Sequence, residues 1–238
     1  VVCVAGGVGA KDVQQKVNKY FAKVKKNGLV EKAATKEEQK EPGVLLHYKK
    51  TDQTHFCLGV RTYDMNDQRK YALTLMSIIL GGNMSSRLFI SVRERNGLAY
   101  HIHTSADETT DTGYLVTQAG IKNNSLEKAI ELVLAQYKDL KEKKITLKEL
   151  KKAKDYLRGI MALSLDSSDT QASYYGMQEV MGQKILSPEE KLKLVDKVTA
   201  NDINKIAKDI FVSEKLNLSV IGPIEESEKE KYKALLKI

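Results

Sequence analysis

The stretch GGNMSSRLFISVRERNGLAYHIH, residues 81–103, holds the features that decide the fold. Its glycine pair ends one predicted helix, and a second helix begins near Ser85 and Ser86, which are placed to cap it. This second helix stops at the Asn-Gly pair of residues 96 and 97, and a strand begins at Leu98. One reversal of the chain therefore gathers arginine, tyrosine and histidine side chains.

Strands are predicted on both sides of this stretch. Residues 44–50 and 54–61 precede it, and residues 98–106 and 112–121 follow, each with the alternating or apolar pattern of a strand. A run of amphipathic helices comes next, and residues 216–222 form a last strand. Because consecutive strands favour hairpins, we predict an α+β fold: two layers, a largely antiparallel sheet with helices packed on it.

The two ends of the chain share one pattern of strand, glycine turn and amphipathic helix, with Gly6 and Gly222 at corresponding corners. We therefore predict that residues 1–26 are the last strand and helix of a preceding half-domain, whose body would lie upstream of Val1. Residues 27–43 have the polar composition of a charged linker. Residues 44–223 are then the main domain, and residues 224–238 a C-terminal helix.

The composition is that of a soluble protein, with 238 residues, 42% hydrophobic and 29% charged. No apolar run approaches the roughly 20 residues that a membrane span needs. We expect a soluble, cytoplasmic protein without a membrane partner, although a signal upstream of Val1 would not be visible. Cys3 and Cys57 lie in apolar runs, where a thiol behaves as a small hydrophobe, and give neither a disulfide framework nor a zinc spacing.

Two ligand classes are not supported by the sequence. The net charge is +8, but the lysines are spread over helix faces and alternate with glutamates, so we expect no nucleic-acid partner. The glycines of GGVGA, residues 6–10, resemble a dinucleotide-binding turn. Asp12 stands where the third glycine of that motif is needed, and no alternating strands and helices follow.

Arg93 and Tyr100 are the candidate functional pair. Arg93 lies in the last turn of its helix and Tyr100, seven residues later, begins the next strand. The guanidinium offers a planar fork of donors for carbonyls, and the phenol can donate one hydrogen bond to a developing oxyanion. Alternatively, Arg93 neutralises the helix C-terminus and Tyr100 packs in the core.

Histidine and serine provide weaker signals. His101 and His103 point to one face of a strand, but no third metal ligand stands at a fixed spacing, so no metal site is assigned. His47 and His55 lie singly on strands and are interpreted as structural. The serine pair at 85 and 86 lacks the G-x-S-x-G order of a nucleophile turn, which leaves capping as its role.

The segment LGGNMSSRLFISVRERNGLAYHIHTSADETTDTGYLVTQAG, residues 80–120, resembles the second half-domain of the pitrilysin/insulinase-type zinc peptidases, the group that includes mitochondrial processing peptidase. The likeness extends more loosely over residues 44–223. It implies a metalloendopeptidase built of duplicated half-domains that close on an extended peptide. In that family an Arg and a Tyr with the spacing of Arg93 and Tyr100 contact the substrate carbonyl and help to stabilise the tetrahedral intermediate.

The resemblance also implies what this chain lacks. The family holds zinc on an H-x-x-E-H helix of the first half-domain, and no histidine here begins that motif. We therefore expect no cofactor in this chain, zinc in an N-terminal half-domain or a partner subunit, and no peptide hydrolysis by the chain alone. A dimer is expected. The alternative is a non-catalytic family subunit that completes a partner's active site in a heterodimer or acts as a scaffold.

Overall fold

The computed structural model describes residues 1–25, 28 and 32–238. The predicted linker at residues 27–43 therefore lies partly outside the described residues, as does the last residue of the predicted segment 1–26. The chain forms two compact units. One consists of Val1–Ala34 with Asp155–Leu194, and the other of Thr35–Lys154 with Val195–Ile238.

The larger unit is built on one mixed sheet. In the described part of the chain this sheet has five strands: β1 Gly43–Tyr48, β2 Gln53–Thr62, β3 Ala99–Glu108, β4 Gly113–Lys122 and β5 Leu216–Gly222. Their spatial order is β1-β5-β2-β4-β3, which leaves β3 at an edge. Among the described strands only the β1 and β5 pair is parallel, so the predicted largely antiparallel sheet is confirmed.

Helices fill the remainder of the fold, as the sequence predicts. Their bounds are α1 Ala10–Phe21, α2 Lys70–Gly81, α3 Leu126–Glu142, α4 Leu147–Ser164, α5 Ser168–Val180, α6 Pro188–Asp196, α7 Ala200–Ile210 and α8 Lys229–Leu235. A short π-helical segment, Phe89–Glu94, lies between α2 and β3. Among the described residues, no helix is both long and apolar enough to cross a membrane.

The core of the larger unit lies between one face of the sheet and the helices. The alternating residues Phe56, Leu58 and Val60 of β2 are almost fully buried on this face. Tyr137 of α3 stacks on Phe211, which follows α7, with ring centroids 4.3 Å apart. Burial of these apolar side chains is the main source of the unit's stability.

The opposite face of the sheet carries exposed side chains. Leu45 is 65% exposed, Tyr114 47% and Ile221 44%. Cys57 also points outward and is exposed, as is Cys3 in the smaller unit, so the interpretation of both thiols as interior hydrophobes is wrong. The strands alternate between the two faces, and Cys57 lies one position away from the buried set.

Part of the predicted linker is held against the larger unit. The Thr35 amide donates to the Asp111 carboxylate over 2.8 Å. The Asn217 side-chain amide donates to Gln39 Oε1 over 2.9 Å. These contacts attach Thr35 to the turn between β3 and β4 and Gln39 to the start of β5.

The smaller unit contains α1, α5 and most of α4 and α6. Residues 1–5, predicted as a buried strand, form no strand within the described chain. Val1, Val2 and Val4 are instead exposed to 78%, 50% and 50%. A strand needs a neighbour to satisfy its backbone groups, and no described segment pairs with these residues.

Candidate functional site

The chain reversal between Arg93 and Tyr100 is built by Gly97. Its φ of 61° lies in the left-handed region that favours glycine. The Gly97 amide donates to the Arg93 carbonyl over 3.0 Å, and the Leu98 amide to the Val92 carbonyl over 3.0 Å. These bonds close the π-helical segment and direct the chain into β3.

A β-bulge at the start of β3 directs Tyr100 outward. Ala99 aligns with Ile121 of β4, but His101 already aligns with Gly120, so Tyr100 is the extra residue between them. Ala99 is buried and Tyr100 is 79% exposed. The alternative in which Tyr100 packs in the core is therefore wrong.

Arg93 lies against Tyr100 and against Phe89. Its guanidinium carbon is 5.4 Å from the Tyr100 ring centroid and 4.7 Å from the Phe89 ring centroid. Both separations fit cation–π contacts, which orient the guanidinium without using its hydrogen-bond donors. Within the described residues, neither the Arg93 guanidinium nor the Tyr100 hydroxyl has a hydrogen-bond or ion-pair partner. Both polar groups can therefore receive a ligand.

Arg87 anchors the segment that carries this pair, and the sequence interpretation missed it. Its Nε donates to Glu149 and its Nη1 to Asp139, each over 2.8 Å. Only 17% of the Arg87 side chain is exposed. No local pattern predicts these partners, because they lie on α3 and α4, more than 50 residues away.

The predicted capping role of Ser85 and Ser86 is not what the structure shows. The Asn83 side chain accepts hydrogen bonds from the Ser85 amide over 2.9 Å and from the Ser85 hydroxyl over 2.7 Å. The π-helical segment receives no side-chain cap. Asn83 therefore stabilises the turn that the serines were expected to stabilise.

Two opposing effects determine the pKa of the Glu149 carboxyl. Desolvation on its own raises the pKa of the Glu149 carboxyl, whereas the hydrogen bonds from Arg87 and from the Thr146 amide lower it more. The net pKa lies below the ordinary 4.5. Glu149 thus stays charged beside Arg87 at neutral pH and also forms a capping box with Thr146 at the start of α4.

The four histidines lie on the strands, outside the Arg93 and Tyr100 pair. His101 and His103 point to the same face as predicted, with ring centroids 6.4 Å apart and planes within 24°. His47 and His55 are exposed on β1 and β2. In the portion of the chain that the structure describes, no group of three or more His, Cys, Asp or Glu side chains could hold a metal ion.

A hollow of the larger unit lies on the exposed sheet face, away from this pair. It has a volume of about 550 Å³, and Gly43, Gly59 and Gly113 are among the residues that line it. Leu45 and Tyr114 form part of its wall, while Arg93 and Tyr100 do not line it. The hollow and the Arg93 and Tyr100 pair are therefore separate features.

Comparison with known proteins identifies the class to which this fold belongs. The model of the peptidase M16 inactive domain matches residues 1–157. The structure is similar to that of a peptidase M16 inactive domain from Pseudomonas fluorescens, with a TM-score of 0.81 and 20% identity, over 92% of this chain and 53% of that one. A protease from Helicobacter pylori gives a TM-score of 0.82 at 19% identity, over 92% of this chain and 54% of that chain.

Sequence relatives support the same assignment. The chain is 34% identical over 226 residues to YmxG, an uncharacterised zinc protease of Bacillus subtilis, covering 94% of this chain and 54% of the relative. It is 28% identical over 237 residues to an uncharacterised zinc protease of Streptomyces coelicolor, covering 96% of this chain and 51% of that relative. The chain belongs to the peptidase M16 family and corresponds to its inactive, C-terminal domain. It spans about half the length of these relatives.

The family assignment confirms the resemblance seen in residues 80–120 and the fold class it implied. An inactive C-terminal domain also implies an N-terminal half-domain as its partner. The narrower likeness to mitochondrial processing peptidase stays a prediction. The same holds for the dimer, the peptide substrate and the domain boundaries.

Proposed function

We propose that this chain is the C-terminal portion of a zinc-dependent endopeptidase that acts on extended peptides, and that Arg93 and Tyr100 supply its substrate and transition-state contacts. The observation that carries the proposal is their stacking at 5.4 Å with both polar groups free for a ligand. Arg93 would donate to a substrate carbonyl, and Tyr100 to the oxygen that gains charge as the tetrahedral intermediate forms.

The donor set of this chain does not fit the family's zinc ion. The sequence contains no H-x-x-E-H, and the described residues contain no cluster of three or more metal-binding side chains. No step of hydrolysis is assigned to a metal here. The zinc site would belong to an N-terminal half-domain or a partner subunit, and the chain alone would lack peptidase activity.

The proposal predicts which property of the enzyme depends on each side chain. Tyr100→Phe keeps the ring that stacks on Arg93 and removes only the hydroxyl. In the full-length protein or the assembled enzyme, kcat for a peptide substrate should fall by about 100-fold with little change in KM, as for other oxyanion donors. Arg93→Lys keeps the charge but loses the planar fork, and it should lower kcat/KM.

Two variants serve as matched controls. Tyr114→Phe removes a hydroxyl from an exposed tyrosine of the same sheet face, and Arg95→Lys changes an exposed arginine two residues from Arg93. Both should retain activity. If Tyr100→Phe and Arg93→Lys match these controls while the enzyme is active, the assigned roles are wrong. Arg93 and Tyr100 would then belong to a scaffold, in line with the alternative of a non-catalytic subunit.

A further inference from the structure

All four histidines of the chain lie on the exposed face of the sheet. In the strand registers, His47 and His55 both align with Ile221, and His55 and His101 both align with Gly120. Residues that align across a sheet point to the same face. Three histidines thus occupy one row across the strands, and His103 lies two residues from His101 on the same face.

The bulge at Tyr100 decides which face the His101 and His103 pair occupies. In a regular strand without the bulge, His101 would share the buried face with Ala99, because side chains alternate along a strand. With it, His101 and His103 both point outward while Ile102 and Thr104 are buried. The bulge at Tyr100 therefore places both imidazoles on the outer face of the sheet.

The geometry of this pair fits shared binding of one ion. The ring centroids lie 6.4 Å apart and the planes differ by 24°. Two imidazole nitrogens bound to one zinc ion at about 2.0–2.1 Å place the ring centres roughly 5 to 6 Å apart, so a small side-chain rotation suffices. Within the described residues neither imidazole has a hydrogen-bond or ion-pair partner that would resist this rotation.

The neighbours of the pair offer further donors and little repulsion. Gly120, opposite His101, has no side chain, and the His55 ring leans over it, since a Cβ there would come within 3.0 Å of His55 Cε1. Gln118 aligns with His103 and with Cys57. The two rows of aligned residues that include His101 and His103 contain no lysine or arginine. The guanidinium of Arg93 lies against the Tyr100 ring.

We propose that His101 and His103 form a binding site for one divalent transition-metal ion, of the kind that imidazole prefers: Zn²⁺, Ni²⁺ or Cu²⁺. The protein supplies two ligands, and water completes the coordination. This site is independent of the zinc that the proposed endopeptidase would hold elsewhere. It is also independent of the roles proposed for Arg93 and Tyr100.

The test is titration of the 238-residue chain, prepared without a histidine tag, with ZnCl₂ and separately with NiCl₂. Calorimetry should show one ion per chain, and amide NMR shifts should centre on β3. His101→Gln and His103→Gln should each weaken metal binding by at least about tenfold. Loss of a residue that only hydrogen-bonds to a metal ligand already lowers metal affinity by about that factor. Both side chains lie on the outer sheet face, so unchanged circular dichroism should confirm that the variants fold.

His47→Gln is the matched control, because His47 is exposed on the same face but is separated from His55 by Ile221. It should bind both metals as the unchanged chain does. Unaltered affinity in a His101→Gln/His103→Gln double variant would overturn the proposal, as would NMR shifts that centre away from β3. None of these measurements uses peptidase activity, so their failure would leave the proposed function untouched.

Discussion

Arg87 is tied to Glu149 by a 2.8 Å hydrogen bond from its Nε, although the two residues are 62 positions apart. The same guanidinium reaches Asp139 of α3 over 2.8 Å. One side chain thus fastens the turn before the π-helical segment to two helices. Arg93 and Tyr100 both follow this anchored turn in the chain.

Replacement of Arg87 by methionine should destabilise the protein by about 2–3 kcal/mol, because it leaves the partly buried Glu149 without its cation and leaves Asp139 with Lys143 alone. Urea unfolding followed by circular dichroism would measure this change. The control is Arg61→Met, whose 3.7 Å pair with Glu37 is 41% and 43% exposed. That variant should change the free energy of unfolding by less than about 1 kcal/mol. Equal effects of the two substitutions would contradict the anchoring role of Arg87.

Glu149 gives the same cluster a defined dependence on pH. Desolvation opposes its ionisation, but the hydrogen bonds from Arg87 and the Thr146 amide hold its folded-state pKa below the ordinary 4.5. A depressed folded-state pKa contributes stability above the unfolded-state value, and this contribution is lost as the pH falls through the folded-state pKa. The free energy of unfolding should therefore decrease as the pH falls below about 4.5.

The test compares acid unfolding of Glu149→Gln with that of the unchanged chain. The variant should be less stable at pH 7 but should lose less stability between neutral and acidic pH, since it lacks one of the titrating groups. Glu131→Gln provides a control, because Glu131 is 47% exposed and its ion pair with Lys128 spans 3.3 Å. Parallel acid profiles for Glu149→Gln and the unchanged chain would refute the linkage.

The elements of the fold were predictable because they rest on local periodicity. The alternation of Thr54, Phe56, Leu58 and Val60 identifies β2, and all four side chains are buried. The capping boxes at Thr146 and Ser187 likewise follow from a glutamate three residues after a threonine or serine. Each of these signals involves residues only a few positions apart.

Features that depend on distant partners were not predictable in this way. The contacts of Arg87 and the row of histidines arise from strand and helix pairing, which one sequence does not specify. The bulge at Tyr100 is an offset of one residue between β3 and β4, and it has no signature in local composition. Residues 1–5 have the pattern of a strand, but a pattern cannot show whether a pairing partner is present.

Tyr137 should be a major determinant of core stability through its hydroxyl. It lies 2.7 Å from the Thr117 hydroxyl and donates to the Leu58 carbonyl over 3.1 Å. Burial raises the pKa of the Tyr137 phenol, so the group stays neutral and keeps donating throughout the accessible pH range. Tyr137→Phe would keep the ring stacked on Phe211 but remove a donor to the Leu58 carbonyl and one of the two partners of the buried Thr117 hydroxyl.

The expected loss for Tyr137→Phe is about 1–2 kcal/mol in the free energy of unfolding, measured by urea denaturation at neutral pH. Tyr114→Phe is the control, since Tyr114 is exposed on the other face of the sheet and should change stability by less than about 0.5 kcal/mol. If the Tyr137→Phe variant has an unchanged free energy of unfolding, water or a relaxed neighbour replaces the lost hydrogen bonds.

Gly97 should be costly to replace because of its backbone conformation rather than for lack of space. At a φ of 61°, a Cβ costs about 1–2 kcal/mol even though no atom of the described residues lies within 4 Å of it. Gly97→Ala should therefore lower the thermal midpoint and, by disturbing the reversal, also lower the activity of the full-length enzyme. Gly159→Ala is the matched control, because Gly159 lies inside α4 with equal space and no left-handed φ. It should raise stability by about 0.5–1 kcal/mol, so that calorimetry finds shifts of opposite sign for the same added methyl group. Shifts of the same sign would show that backbone conformation does not control this turn.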